Sequence, residues 1–276
     1  VDIVISTPAA GGQLGLNPKN IDMFADIQTV VIDEADMLLD GGYIRQLENV
    51  FMGFRRADRL KDESVFKTQH IFVAATLPDY GLRSVDAYLQ RKFPQATRIT
   101  MSGMHNARHY GLNEQTIWME EETKKERMRI LTELLETDLK GKKILVFCNS
   151  VDDVEGATQA LAHATNVTAL PYHAKVPLDE RTITLDRFRR YVAGSDNNDD
   201  DTVPILVCTD LASRGLDISG VEVIVQLQFA GNVVAHLHRM GRCGRAGQQN
   251  GRGIVFYGEK ERELVRVVQT AEHQQE

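Results

Sequence analysis

The chain has 276 residues, of which 42% are hydrophobic and 26% are charged, and its formal net charge is −7. This length allows one large or two medium domains with buried cores, and the composition is that of an ordinary globular protein. The acidic total excludes a general attraction to nucleic acid, so a nucleic acid would have to be held by a local basic patch.

Apolar runs and cysteines bear on the surroundings of the protein. No apolar run approaches the roughly 20 residues that span a bilayer, so no membrane partner is expected. Cys148, Cys208 and Cys243 are far apart and form no C-x-x-C pair. This usage predicts a reduced, intracellular protein, without distinguishing nucleus, cytosol or mitochondrion.

The chain opens on an apolar stretch, Asp2–Ser6, which predicts a strand that ends at Thr7-Pro8. A glycine-rich loop is predicted from Ala9 to Gly15. Because the chain begins inside a strand, we expect further residues to precede it in the natural protein.

An acidic block follows the next predicted strand. Thr29–Ile32 is a β-branched run that leads into Asp33-Glu34-Ala35-Asp36. A buried strand that ends in carboxylates is typical of a Walker B site, which meets a magnesium–phosphate complex. A helix N-terminus, whose dipole favours acidic residues, explains the block alone equally well.

The rest of the first hundred residues continues the alternation. Helices are predicted over Met37–Phe54 and Gly81–Phe93, strands over Gln69–Ala75 and near Thr97–Met101, and a charged surface insertion over Arg55–Lys67. Small and polar residues without an apolar period then indicate a linker. The predicted organisation is a first domain at 1–103, a linker at 104–115 and a second domain at 116–276.

Strands and helices also alternate through the second half. Helices are predicted over Glu120–Asp138, Val151–Ala164, Asp179–Tyr191 and Glu259–Ala271, and strands over Lys143–Cys148, up to Tyr172, and over Pro204–Cys208, Val221–Gln226 and Gly253–Tyr257. This alternation predicts an α/β fold built twice, each time a parallel sheet covered by helices on both faces. Functional sites then gather at the carboxyl ends of the strands.

Three arginines, Arg239, Arg242 and Arg245, are spaced three residues apart near the end of the chain. In a helix they would project from one face, and their guanidinium forks would suit phosphate oxygens. A solvated basic helix face is the alternative. Gly241 and Gly244 argue against it, because they weaken a surface helix.

The motifs, in this order, resemble those of the DEAD-box RNA helicases of superfamily 2. The matching segments are Asp33–Asp36, Ala74–Thr76, Ile144–Ser150, Thr209–Ile218 and His238–Arg245. The resemblance implies two RecA-like domains, the first incomplete, that close on ATP with Mg²⁺ and on single-stranded RNA. In the acidic block, Asp33 would hold magnesium through water and Glu34 would activate the attacking water. Asp36 and Thr76 would link this block to the second domain.

The resemblance also implies roles for the second domain. Gly215 and Asp217 would contact the nucleotide, Asp217 at its ribose, Arg242 and Arg245 would be arginine fingers on the γ-phosphate, and His238 and Arg239 would couple them to the acidic block. RNA would be bound through its backbone, independently of sequence, by Thr7, Pro8, Arg181 and Thr209. The arginines of Arg187–Arg190 could add charge, or merely coat a helix.

Some family positions are altered. Ala9-Ala10 stands where the family has Gly-Arg, Ala74 replaces a serine, His173-Ala174 stands for His-Gly, and Leu178 replaces a glutamine. These changes weaken the expected RNA contacts more than ATP turnover. No G-x-x-x-x-G-K-[ST] phosphate loop is present, and we expect it upstream of this chain.

Two functions of different classes follow from the resemblance. The first is an ATP-dependent RNA helicase or ribonucleoprotein remodeller. The second is a catalytically weakened assembly factor that acts as an RNA clamp or scaffold in a large ribonucleoprotein, such as an assembling ribosome. The altered motifs favour the second function, and the retained Glu34, Arg242 and Arg245 favour the first.

Overall fold

A computed structural model describes residues 3–40, 42–62, 66–74, 85–99, 112–120, 123–164, 167–191, 204–213, 216, 218–243 and 251–273. The chain divides into two compact units, Val1–His105 and Asn106–Glu276.

Among its described residues, the first unit contains two short parallel strands and five α-helices. In chain order these are α1 (Pro8–Leu16), α2 (Ile21–Asp26), β1 (Thr29–Ile32), α3 (Ala35–Asp40), α4 (Ile44–Leu60), β2 (Gln69–Phe72) and α5 (Val85–Lys92). β1 pairs with β2 from Thr29↔Gln69 to Ile32↔Phe72. One face of this pair packs on helices through Ile32, while Val31, Ile71 and Val73 on the other face are exposed.

Helix α1 corrects the prediction of a glycine-rich loop. Thr7 caps the helix, and Pro8 occupies its first turn, where a missing N–H costs nothing. The glycines allow α1 to lie directly against α4. A Cβ at Gly12 would come 2.9 Å from the Gln46 carbonyl oxygen, and one at Gly15 would collide with the carbonyl of Asn49.

Three further expectations for this unit were wrong. Residues 3–6 form no strand, and residues 97–99 form none either. The predicted insertion at Arg55–Lys67 begins too early, because α4 continues to Leu60 and buries Ala57.

The second unit is a six-stranded sheet in which every pairing is parallel. Its elements are β3 (Leu112–Trp118), α6 (Lys124–Glu136), β4 (Ile144–Phe147), α7 (Val151–Ala164), β5 (Thr168–Tyr172), α8 (Leu178–Arg190), β6 (Pro204–Cys208), β7 (Val223–Gln226), α9 (Val233–Met240), β8 (Gly251–Tyr257) and α10 (Arg262–His273). The strand order is β3-β8-β7-β4-β6-β5. The predicted α/β class is confirmed.

Both faces of this sheet are packed, as the continuous apolar runs of its strands predict. Ile144 and Val146 of β4 pack on one face with residues of α6 and α7. Leu145 and Phe147 pack on the other with residues of α8, α9 and α10. Successive strand residues point to opposite faces, so a strand buried on both sides is apolar throughout.

Strand β3 was not predicted. It begins at Leu112, inside the segment 104–115 assigned to the linker, and pairs with β8 from Leu112↔Gly251 to Trp118↔Tyr257. Asn113, Glu114 and Gln115 therefore belong to the sheet of the second unit.

Candidate nucleotide and RNA site

The acidic turn, residues 33–36, lies where β1 ends. Glu34 has φ +49°, and it is the only non-glycine residue with positive φ in the described part of the chain. This left-handed conformation costs a residue with a Cβ about 1–2 kcal/mol. Such strain persists only where surrounding contacts impose it, and it concentrates at functional sites.

Contacts on both sides of Glu34 impose this geometry. The Ala35 N–H donates to the Val73 carbonyl just beyond β2, at 2.9 Å. The Glu34 N–H donates to Oδ1 of Asp33, also at 2.9 Å. Asp33 is exposed, and no described group donates to its second carboxylate oxygen.

Asp36 differs from the other two acidic residues. Its side chain is fully buried, and its Oδ1 accepts from the Met37 N–H at 2.9 Å. The turn therefore presents two accessible carboxylates and holds a third inside, beneath the start of α3.

The arginine centre consists of Arg239 with Asp210, Asn149, Gln226 and Gln228. Arg239 lies on α9 and is fully buried. Its Nε donates to Asp210 Oδ1 at 2.6 Å, and one terminal nitrogen donates to Asn149 Oδ1 at 2.7 Å. The other terminal nitrogen donates to the Gln228 carbonyl at 3.1 Å and to Gln226 Oε1 at 3.4 Å.

For Arg239, these contacts correct the prediction that three arginines face a phosphate from one helix face. The Arg239 guanidinium is occupied inside the second unit. Helix α9 ends at Met240, and Arg242 lies in the turn that follows. Arg242 donates to the carbonyl oxygens of Leu216 at 3.0 Å and His238 at 3.4 Å.

A carboxylate at the N-terminal end of α7 borders the arginine centre. Oδ2 of Asp153 accepts from the Ser150 hydroxyl at 2.6 Å and from the Gln228 amide at 3.0 Å, and Lys124 Nζ lies 2.6 Å from Oδ1. Burial alone would raise the pKa of Asp153. Hydrogen bonds from Lys124, Ser150 and Gln228 outweigh burial and lower this pKa to about 2.

The predicted RNA contacts include two threonines that cap helical turns. The Thr7 hydroxyl accepts from the Ala10 N–H at 3.3 Å, and that of Thr209 accepts from the Leu211 N–H at 3.5 Å. Each hydroxyl keeps its own proton for an outside acceptor. Pro8 is half-buried beside Thr7. On α8, the buried Nε of Arg181 has no hydrogen-bond partner among the described residues.

Four residues assigned to the site by resemblance lie outside the described residues: Thr76, Gly215, Asp217 and Arg245. His238 is described and is buried on α9. Each unit brings together its own residues: the acidic turn in the first, and the arginine centre in the second.

Four members of the arginine centre were not predicted from the sequence, namely Asn149, Asp210, Gln226 and Gln228. A signal was available, because each polar residue stands at or just after the carboxyl end of an apolar strand. An isolated amide carries no catalytic signature, so its role appears only through its contact with Arg239.

Several known proteins are similar to the chain. Residues 126–247 match the helicase conserved C-terminal domain. DEAD-box ATP-dependent RNA helicase 22 of Oryza sativa subsp. japonica is 32% identical over 264 residues, which cover 90% of this chain and 43% of the relative. The chain is thus similar to DEAD-box ATP-dependent RNA helicases over most of its length.

Other relatives agree with this similarity. The pre-mRNA-splicing ATP-dependent RNA helicase PRP28 of Pyricularia oryzae is 26% identical, over 93% of this chain and 37% of the relative. The chain thus spans about two fifths of the length of these relatives. A structure of Mss116p bound to ssRNA and AMP-PNP matches with a TM-score of 0.72 and 21% identity, over 98% of this chain and 51% of that one. This likeness supports the predicted fold of two RecA-like domains.

None of the described helices of the chain has the length and apolar character needed to cross a membrane.

Proposed function

We propose that this chain is part of an ATP-dependent RNA helicase or ribonucleoprotein remodeller of the DEAD-box type, in which RNA binding stimulates ATP hydrolysis. The observation that carries the proposal is the strained Glu34 beside the exposed Asp33. A protein kept only as a scaffold has no physical reason to retain this strain. The names of the relatives, all ATP-dependent RNA helicases, support the same activity.

Glu34 is proposed to accept the proton of the attacking water. Its backbone is fixed by neighbouring hydrogen bonds, so the point from which its side chain leaves the turn is set before the nucleotide arrives. Arg242 and Arg245 would stabilise the negative charge that develops on the transferred phosphoryl group. Asp36, Thr76 and His238 would connect the two domains, and Gly215 and Asp217 would contact the nucleotide.

Asp33 fits the chemistry of Mg²⁺, which prefers oxygen ligands and usually keeps several waters. One of its oxygens accepts the Glu34 N–H, and the other is free to hold a magnesium-bound water. Bound magnesium would neutralise charge on the β- and γ-phosphates. Among the described residues no group of three or more His, Cys, Asp or Glu side chains is arranged around an ion.

RNA is proposed to bind through its phosphates. The hydroxyl protons of Thr7 and Thr209 can be donated to phosphate oxygens, and Arg181 adds positive charge. Such contacts ignore base identity, which suits a protein that binds any single strand. The positive charge of Arg181 also attracts phosphate locally, although the net charge of the chain is negative. The domain division at 1–103, 104–115 and 116–276 remains a prediction, apart from residues 112–115, which β3 places in the sheet of the second unit. An intracellular location also remains a prediction.

The test is ATP hydrolysis by the full-length protein, with and without single-stranded RNA, beside its Glu34→Gln variant. We expect RNA-stimulated turnover in the wild type, and a variant that binds ATP without hydrolysing it. Glu133→Gln, on the exposed side of α6, is the matched control and should retain full activity. Unchanged turnover in Glu34→Gln would overturn the assigned role. A wild type that folds and binds RNA without turnover would support the scaffold alternative.

A further inference from the structure

A polar chain runs from the edge strand β3 to the arginine centre. It consists of Glu114 on β3, His236 on α9, Gln226 at the end of β7, and Arg239. The side chains of His236 and Gln226 are almost completely buried. The sequence analysis assigned no role to Glu114, His236 or Gln226.

The orientation of each side chain in this polar chain is fixed by the side chain that it contacts. Arginine has only donors, so the atom of Gln226 that faces Arg239 is the oxygen, Oε1, at 3.4 Å. The amide nitrogen of Gln226 then faces Nδ1 of His236 at 2.9 Å. That nitrogen is a donor, and Nδ1 must therefore be an unprotonated acceptor.

The remaining proton of His236 is thereby placed on Nε2. This nitrogen points to Oε2 of Glu114 at 3.5 Å, a carboxylate with a side chain only 15% exposed. The imidazole ring stacks on Phe229, with centroids 4.9 Å apart and planes inclined by 15°. The ring is thus held from two sides, and its acceptor nitrogen is aimed at Gln226.

We propose that His236 is a positioning residue for ATP turnover, which acts by fixing the amide of Gln226 and through it the guanidinium of Arg239. The Arg239 guanidinium anchors the end of α9 through its bonds to Asp210 and Asn149. The turn that carries Arg242 is joined to that end through the backbone, where the Arg242 N–H donates to the Arg239 carbonyl at 3.1 Å. Without an acceptor at position 236, the Gln226 amide can rotate and turn its NH₂ group towards the guanidinium. Two donors would then face each other in a buried site, and the turn would lose its fixed geometry. The kinetic part of this inference rests on the proposed function.

Two substitutions distinguish the role of the acceptor nitrogen of His236 from the role of its aromatic ring. His236→Phe keeps an aromatic ring against Phe229 but removes the acceptor. His236→Asn removes the ring and keeps an acceptor, because Asn Oδ1 can take the place of Nδ1. We expect His236→Phe to lower kcat for RNA-stimulated ATP hydrolysis roughly tenfold, with KM for ATP nearly unchanged. His236→Asn should restore most of the loss.

A double-mutant cycle tests whether the effect passes through Gln226. In a Gln226→Met background, His236→Phe should cause no further loss of kcat, because the link is already broken. His163→Phe, an exposed histidine near the end of α7, is the matched control and should leave kcat unchanged. Equal losses in His236→Phe and His236→Asn, or full additivity with Gln226→Met, would overturn the proposal.

A spectroscopic measurement decides the case if the wild type shows no ATP hydrolysis, in which event the proposed function fails by itself. The ¹⁵N shifts of His236 should show the neutral tautomer with the proton on Nε2, and His236→Phe should speed exchange of the Arg239 Nε proton. A proton on Nδ1, or an Arg239 exchange rate unaffected by the substitution, would overturn the positioning role regardless of activity.

Discussion

The acidic turn and the arginine centre are both built at the carboxyl ends of parallel strands, yet they use their charges in opposite ways. Asp33 is exposed, and the backbone beside it is strained. Arg239 is fully buried, and its guanidinium donates to four neighbouring residues. Position at a strand end therefore does not by itself make a ligand site.

The largest expected effect is the loss of the arginine centre. Arg239→Leu leaves Asn149, Gln226 and Asp210 without their donor, and removal of one partner from a buried charged network costs about 3–5 kcal/mol. We expect the free energy of unfolding of the second unit to fall by that amount in urea titrations followed by Trp118 fluorescence. Arg190→Leu, at the exposed end of α8, should change it by about 1 kcal/mol or less. A small loss for Arg239→Leu would contradict the structural role of the guanidinium.

An intermediate effect concerns pH. The folded pKa of Asp153 is about 2, below the usual value of about 3.9. The unfolded chain therefore binds more protons between these values, and stability is lost as pH falls from about 4 to 2. Because Lys124 is largely exposed, we expect a contribution of about 1–2 kcal/mol.

Asp153→Asn isolates this contribution. Urea unfolding of the wild type and the variant should show a clear stability difference at about pH 5 that shrinks at about pH 3. A difference independent of pH would mean that the carboxylate is not held in its ionised form by Ser150, Gln228 and Lys124.

The smallest expected effect is a gain in stability at the acidic turn. Glycine adopts the conformation of Glu34 without steric cost, although it loses more entropy on folding. Glu34→Gly should stabilise the first unit by up to about 1 kcal/mol while abolishing turnover. Glu34→Ala keeps the strain and should therefore give no such gain in stability. Hydrogen exchange of the α3 and α4 amides measures both. Equal protection in the two variants would show that the strain stores no free energy.

Local patterns predicted the second unit well because its strands are buried on both faces. The predicted bounds Val151–Ala164 and Pro204–Cys208 are those found. Helix α1 was misjudged because glycines usually indicate a loop, whereas Gly12 and Gly15 here permit close contact with α4. That contact depends on residues more than 30 positions away, which no local window includes.

Several residues of the candidate site could be predicted from the sequence, but which of them are buried could not. The acidic turn was found because its residue types are distinctive and adjacent. The strained backbone of Glu34 has no sequence signal. Arg239 was expected to face a phosphate. Its actual partners, Asn149, Asp210 and Gln226, come from separate parts of the chain, so the sequence does not show that they contact it. Only the folded sheet brings them together.

The position of strand β3 in the sheet has a consequence for folding during synthesis of the protein. Its sole sheet neighbour among the described strands is β8, and the contact between Gln115 and Arg252 joins residues 137 positions apart. At about 5–20 residues per second, a ribosome needs roughly 7–30 s to make the intervening chain. During that interval β3 leaves the ribosome with no sheet to join. The first strand of the second unit is thus among the last to be docked, and its exposed Trp118 would report that event in real time.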